Sequence, residues 1–571
     1  VASALELGDH GAADPHVERL LESFAFLTGR IQRQLDNAIP EVPSALLDVL
    51  YPQLTRQLPS MAVGEFEVDP GKGDLSEGYR LDRHTSIFLR NEQGEECQFR
   101  TAYHLDLWPL RIEAVSHQSA ADFQGFDDDP EITSVVRVSI GAMGAETKLE
   151  ALPIDRLRFH LAGEPAVAFR LLETLLLHTR RLAVREESGR QVRLHDGAIR
   201  LIGLDHEDAL LPTPAQSHDG YRLLVEYFAF PQKHLFVDVT GLSGKMTGQT
   251  IDLLFGIDAG AGDMFKLGPA NLKLHCVPLI NLFERTSEPI RLDETHFEYR
   301  LIPDVRSLTS TEIYSIDSIS CSSDREDQAA NIAPFYSCDH TNALNQPSCY
   351  WLARRDSALD NRIGGTDMFL SFVDLNLDLD LPPTRSVFAS TLCTNRHAAG
   401  RIASGSFGEI ESDAPLANVR CLHKPTAQID PPSGGQSLWR LISHLSLNHL
   451  SLETGNAGLQ SLKEILRLYA FIDPSSVDQQ LAGLRKLESR QACRRVGSQV
   501  WRGFCFGSEI DLTIDAKCFV GSSALVLGFV LDRFLALFTT CNSFTQLSFR
   551  RVDRQGIWHA WPPRSGDQAL V

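Results

Sequence analysis

No apolar run in this sequence approaches the roughly 18–20 residues that a membrane-spanning helix requires. The longest, 523–531, is met at once by Asp532 and Arg533. Positive charge is also short: 54 Lys and Arg stand against 74 Asp and Glu, a net of −20. Such a surface repels phosphate backbones, which excludes nucleic acid as a main partner. No Cys-x-x-Cys pair occurs, and the eleven cysteines are odd in number and scattered through a large chain. That pattern points to reduced, buried thiols as in cytosolic proteins, not to a disulfide framework. Aromatics reach only 8%, and Phe (30) far outnumbers Trp (6) and Tyr (10), which leaves little for stacking on sugars. The first nine residues carry no basic stretch followed by an apolar core, so no signal peptide is expected and the cytoplasm is the expected compartment. The chain opens on Val1, so it is expected to begin inside a longer natural one.

What is present is ordinary globular usage, 43% hydrophobic and 22% charged, which rules out a disordered or collagen-like chain. At 571 residues, two to four domains are expected. Asp14 and Pro15 form a good helix start. Val17, Leu20, Leu21, Phe24, Leu27, Thr28, Ile31 and Leu35 then recur at three- and four-residue steps, predicting a helix over 14–35. Phe24 and Phe26 fall on different faces, so this helix needs more than one neighbour, within the chain or from a partner. A second helix over 44–51 is expected to end at Pro52. From Met61 the period becomes two, predicting strands over 61–69, 85–90, 98–108 and 134–140. A helix over 165–178 interrupts, and strands follow over 191–194, 234–239, 272–277, 298–302 and 312–319. Segment 320–350, rich in Ser, Asp, Asn and Cys, reads as an irregular loop. After Pro431-Pro-Ser-Gly-Gly435, helices are expected over 437–450 and 459–471, then strands over 507–514 and 545–550 with a helix near 524–538. The expected fold is α+β and multi-domain: an N-terminal helical segment (1–60), a β-rich central region with inserted helices (61–430, two subdomains), and a mixed C-terminal region (431–571).

Motifs for chemistry fail on their own requirements. Gly241-Leu-Ser-Gly-Lys-Met246 resembles a phosphate loop, but Val239 occupies the first Gly position and Met246 replaces the Mg²⁺-holding hydroxyl. Ser404-Gly-Ser-Phe-Gly408 and Gly435-Gln-Ser-Leu-Trp439 each lack one glycine of a nucleophile elbow, and Ser437 reads better as a helix N-cap. His444 and His449 would lie about 140° apart on a helix, poorly placed to share an ion. Cys338-Asp-His340 and Cys421-Leu-His423 lack a second closely spaced pair. Asp127-Asp-Asp129 and Asp374, Asp378 and Asp380 are the densest acidic groups, and they read as solvated faces. No catalytic residue, cofactor or metal is therefore expected.

Several segments together resemble one family. Asp14-Pro-His-Val-Glu-Arg-Leu-Leu-Glu-Ser-Phe-Ala-Phe-Leu-Thr-Gly-Arg-Ile-Gln32 and Ala45-Leu-Leu-Asp-Val-Leu-Tyr-Pro52 are similar to the N-terminal signature of TssF (VasA/ImpG) proteins of the type VI secretion baseplate. Cys97-Gln-Phe-Arg-Thr-Ala-Tyr103, Tyr221-Arg-Leu-Leu-Val-Glu-Tyr-Phe-Ala-Phe-Pro231, Val277-Pro-Leu-Ile-Asn-Leu-Phe283, Glu312-Ile-Tyr-Ser-Ile-Asp317, Gly435-Gln-Ser-Leu-Trp-Arg440 and Leu531-Asp-Arg-Phe-Leu-Ala-Leu-Phe538 continue it in order. The family usually carries another helix ahead of Asp14, and little of it stands here. The resemblance implies a cytoplasmic, non-enzymatic subunit. In that family two TssF copies join one TssG, with TssK and TssE, into wedges around the VgrG hub and spike, docked through the baseplate to the inner-membrane complex. The contractile sheath and tube grow from that ring, as in phage tails. Phe24, Leu27, Ile31, Trp439 and Arg440 are the expected partner-interface residues. Such chains purified alone are expected to self-associate. The competing reading is a hydrolase or secreted effector with an unrecognised active site.

Overall fold

The computed structural model describes residues 51–431 and 455–566, apart from 127–128, 145–146, 214–218, 263–264, 293–295, 324–325, 338–348, 361–362, 375–385, 471–473, 496–503, 537–538 and 540–542. Ahead of residue 51 it describes 7–8, 11–12, 23, 26–28 and 47–48. The expected helix over 437–450 lies outside these residues, as does most of that over 14–35, of which Ser23 and 26–28 are helical.

At the centre is a closed six-stranded barrel. Met61–Gly64 are buried on both faces of the strand Met61–Val68, and from Glu65 it alternates, with Phe66 and Val68 buried between Glu65 and the exposed Glu67. It pairs on one side with Cys276–Ile280 and on the other with Leu416–Cys421, two segments that lie far apart in sequence. Phe407–Ile410, Ser86–Arg90 and Glu96–Thr101 complete the ring. The chain also enters and leaves this region side by side, because Leu58 bridges Ile429 and Met61 N donates to Thr426 Oγ1 at 2.9 Å.

Two sheets pack beside the barrel. One runs Gln191–Arg193, Thr179–Glu186, Thr250–Asp258, Ile132–Ala142, Leu110–Ser119, and the other contains Arg156–Leu161 flanked by Phe236–Thr240 and Leu272–Lys273. Helix Pro165–Leu177, with proline at its start, buries Phe169, Leu171, Leu172 and Leu175. An eight-stranded sheet within 283–394 has its own core of Phe283, Leu301, Ile313, Ile319, Leu370 and Val387. A buried polar hub ties it to the barrel. Arg396 donates from Nε to Thr311 O (3.1 Å) and from Nη1 to Gly364 O (2.7 Å). Gln428 Nε2 donates to Glu312 Oε2 (2.7 Å), and Asn281 Nδ2 to Asn395 Oδ1 (2.7 Å). Gly365 is required here, since a Cβ would sit 2.7 Å from both Arg396 Nη1 and Glu312 Oε2.

The C-terminal sheet pairs Phe504–Ile514 with Ser543–Arg551 in parallel, and helix Ala524–Leu535 makes the crossover that a parallel pair needs. Ser523 caps that helix by accepting from Leu525 N at 3.1 Å. One continuous apolar core joins this sheet to the barrel. Tyr221 supplies a junction, with Tyr51 (ring centroids 5.2 Å), Tyr469 (5.6 Å) and Phe534 (5.9 Å) around it.

The β-rich middle with inserted helices matches expectation, and four details do not. Leu47 and Asp48 are helical, within the helix expected over 44–51, and Pro52 then opens a further short helix, Pro52–Thr55, as its missing N–H permits at a first turn. The strand expected over 98–108 splits at residues 102–104, where Thr101 turns to bond the 82–85 loop. That expected over 272–277 breaks at His275, whose φ of 53° cannot continue a strand. Segment 320–350 is not simply a loop: Glu326–Pro334 pairs with Glu312–Ser323 and, in parallel, with Cys349–Ser357.

Candidate interaction surfaces

Of the expected interface residues, Leu27 lies in the described helical stretch 26–28. It is 53% exposed and its neighbour Phe26 71%, so neither is covered by this chain's described residues. Two large adjacent apolar side chains left bare are the kind of surface that marks a protein interface. Phe24, Ile31, Trp439 and Arg440 lie outside the described residues.

The rejected motifs take structural roles. Gly241 and Gly244 adopt positive φ in a turn after strand Phe236–Thr240, and Lys245 Nζ donates to Gly241 O at 2.9 Å. Ser404 Oγ donates to Leu422 O (3.0 Å) and Ser406 Oγ to Ala403 O (2.8 Å). Cys421 donates its thiol to His423 O at 2.8 Å, and burial pushes that thiol up to about 11. Among the described residues no three His, Cys, Asp or Glu side chains group to hold a metal, and nine cysteines are free thiols. Asp129 Oδ1 accepts from Glu131 N (3.0 Å) in a turn, whereas Cys338, His340, Ser437, His444 and His449 lie outside the described residues.

The densest buried charge was not expected from sequence. Helix Asp219–Ala229 buries every residue from Gly220 onward, including Arg222 and Glu226. Glu226 Oε1 accepts from Leu210 N and Leu211 N at 2.9 Å each, while Oε2 takes Arg222 Nη1 (2.9 Å) and Lys233 Nζ. Burial alone would raise this carboxyl, but Arg222 and Lys233 outweigh it and hold it down at about 2. Two cations share one carboxylate, so burial pushes Lys233, the weaker cation, down to about 8 despite Glu226. Tyr227 OH donates to Gln480 Oε1 (3.0 Å), linking the same helix to the C-terminal region. Nothing in this cluster opens to a substrate; its geometry fixes a helix and a loop.

A cleft of about 660 Å³ separates the central and C-terminal sheets. One wall carries His178, Arg180 and Asp258, where Asp258 binds His178 Nδ1 and Arg180 Nε at 2.8 Å each. The other is the strand Ile557–Ala560 with Arg551 and Arg554. Arg551 stacks over Trp558 (5.5 Å) and pairs with Asp553.

Comparison with known proteins places the whole chain. The family model for the type VI secretion system protein TssF matches residues 1–568. The type VI secretion system component TssF1 of Pseudomonas aeruginosa is 33% identical over 594 residues, covering 98% of this chain and 94% of that protein. Among solved structures, a chain of the type VI secretion system TssK-TssF-TssG baseplate subcomplex, seen by cryo-electron microscopy, aligns with a TM-score of 0.77. It is 24% identical and covers 97% of this chain and 99% of its own. A chain of the baseplate complex from the type VI secretion system aligns at 0.66 with 21% identity, over 100% and 95% of the two chains. These two likenesses show a shared fold.

Proposed function

The chain belongs to the TssF family of the type VI secretion system, and we propose that it works as a structural subunit of the baseplate wedge, assembling with TssG and TssK. TssE, the VgrG hub and a second copy of the chain complete the proposed set of partners, in the cytoplasm, with the ring docked to the inner-membrane complex. The observation that carries this reading is collinear likeness over essentially the full length. A chain that keeps its family's whole architecture keeps the several faces that an assembly subunit requires. Its proposed action is by shape, without catalysis; Ser404, Ser406 and Cys421, the described members of the hydroxyl and thiol motifs, bond backbone carbonyls. The exposed Phe26 and Leu27 support the N-terminal segment, with Phe24 and Ile31, as a partner-binding helix, with Trp439 and Arg440 as a second contact. The proposed domain limits near residues 60 and 430 draw support from the bridge between Leu58 and Ile429.

Co-expression with a TssG chain, followed by size-exclusion chromatography and mass determination, tests this. A stable complex is expected, and Phe26→Asp with Leu27→Asp should weaken capture at least tenfold without altering the circular dichroism spectrum. A monodisperse monomer that ignores TssG would overturn the reading.

A further inference from the structure

Four polar atoms in the cluster around Glu226 bond to no protein group among the described residues: Tyr103 OH, both ring nitrogens of His234, and Arg222 Nη2. Their three side chains are buried, so bulk water does not reach them. A buried donor without a partner is costly, and native interiors satisfy it with a protein group or an internal water. Two of these atoms face one spot. Gly203, with a φ of 101°, carries no side chain there. A Cβ at that position would lie 3.3 Å from Tyr103 OH, 3.4 Å from His234 Nδ1 and 3.2 Å from Lys233 O. Three elements fix the walls. Tyr103 follows the barrel strand Glu96–Thr101 with its ring edge-on to Phe236 at 6.2 Å. Gly203 N donates to Asp208 Oδ2 at 3.0 Å. Lys233 and His234 end the turn Pro231–His234, and Lys233 is anchored on Glu226.

Protonation decides what can sit there. Burial raises the Tyr103 phenol well above its ordinary range, so it stays an O–H donor. Burial first, and then Lys233, lowers His234 to about 3, so at pH 7 its ring is neutral, with one N–H and one lone pair. The spot therefore offers a donor, the carbonyl acceptor of Lys233, and a ring nitrogen that can serve either way. A water matches all three, which is the usual number of bonds for an internal water. A halide would meet the lone pairs of Lys233 O with one fixed donor, Tyr103. A metal cation would lie close to Lys233 and Arg222, and none of the three nearest atoms is a carboxylate oxygen.

We propose that one internal water is bound beside Gly203, accepting from Tyr103 OH, donating to Lys233 O and bonding His234 Nδ1. It joins the barrel, through Tyr103, to the turn that carries Lys233. It thereby completes the anchorage of helix Asp219–Ala229 that Glu226 begins. The site is independent of the assembly reading.

Three measurements on the full chain test it. A crystal structure at about 2 Å or better should show a spherical peak roughly 2.6–3.2 Å from Tyr103 OH, Lys233 O and His234 Nδ1. Crystals soaked in sodium bromide should give no anomalous peak at that spot. Amide hydrogen exchange over 203–211 should speed roughly fivefold in Tyr103→Phe, the worth of one net hydrogen bond, with the circular dichroism spectrum unchanged. An unpaired hydroxyl predicts the opposite sign, because deleting it relieves a cost and exchange stays the same or slows. Empty density, a direct bond between Tyr103 OH and His234 Nδ1, a bromide peak, or unchanged or slower exchange in Tyr103→Phe would each overturn the inference. If Tyr103→Phe loses its fold, the density and the bromide soak decide alone.

Discussion

Replacing Glu226 by glutamine keeps the side-chain volume and removes the only carboxylate that Arg222 and Lys233 share directly. Glu226 is fully buried and accepts from two backbone amides as well as both cations. A carboxyl held at about 2 instead of 4.5 corresponds to roughly 3 kcal/mol of folding free energy. Removing one partner of a buried pair typically costs about 3–5 kcal/mol, because the remaining charge stays buried without a counterion. The two figures agree, so about 3 kcal/mol is expected. The chain has several cores, and a single melting midpoint would blur the effect. Amide hydrogen exchange by mass spectrometry over 206–234 reads the loss locally. About 3 kcal/mol predicts roughly a hundredfold faster exchange in that segment at pH 7, with little change in 283–394. The acid limb provides a second reading. Because the native carboxyl sits below its ordinary value, the unfolded chain takes up the proton first on acidification. Wild-type protection in this segment is therefore complete above about pH 5 and drains away as pH falls toward 2, while the glutamine variant lacks that dependence. Wild-type exchange rates in the variant at pH 7, or an unchanged acid limb, would refute the reasoning.

Gly528→Ala places a Cβ 2.2 Å from Trp561 Cη2 and 2.9 Å from Phe549 Cε2. Overpacking of this kind costs about 1–3 kcal/mol, so a lower thermal midpoint for the C-terminal sheet is expected, and unchanged stability would contradict the packing. Arg396→Met removes the guanidinium that bonds Thr311 O and Gly364 O beside Glu312 and Asp367. Its φ of 48° is a strained backbone state that those bonds hold in place. About 3 kcal/mol should be lost at the barrel junction, seen as earlier protease cleavage within 283–394 while the barrel strands stay protected.

Where one face of an element is apolar and the other wet, the periodicity could be read directly. The second half of Met61–Val68, helix Pro165–Leu177 and helix Asn456–Leu468 all have such a face and were legible. Helix Asp219–Ala229 was seen only as a family motif, because Arg222 and Glu226 point inward and erase the polar stripe that marks a surface helix. The one available signal was their spacing, since residues four apart with opposite charge meet on a helix. His275 could not be read either: a left-handed histidine is set by its tertiary partners, here Phe66 N on its carbonyl and Trp108 N on its ring. Polar segment 320–350 hid strands for a related reason, since pairing with neighbours outweighs the weak preference of Ser, Asp and Asn for turns.

The proposed interface was legible in part for the same physical cause. A residue meant for a partner looks, in sequence, like a residue meant for the core, so the stripe through Phe24, Leu27 and Ile31 could not say which it was. Of those three Leu27 alone is described, and its exposure supports the proposal of a partner. The cleft beside Ile557–Ala560 left no pattern at all, because its walls come from residues some 300 positions apart and its basic character is a surplus of one charge within a chain of −20. Only folding brings Arg180 and Arg554 to one opening. A sequence signal for a surface therefore survives where a single helix would carry it, and vanishes where two sheets build it.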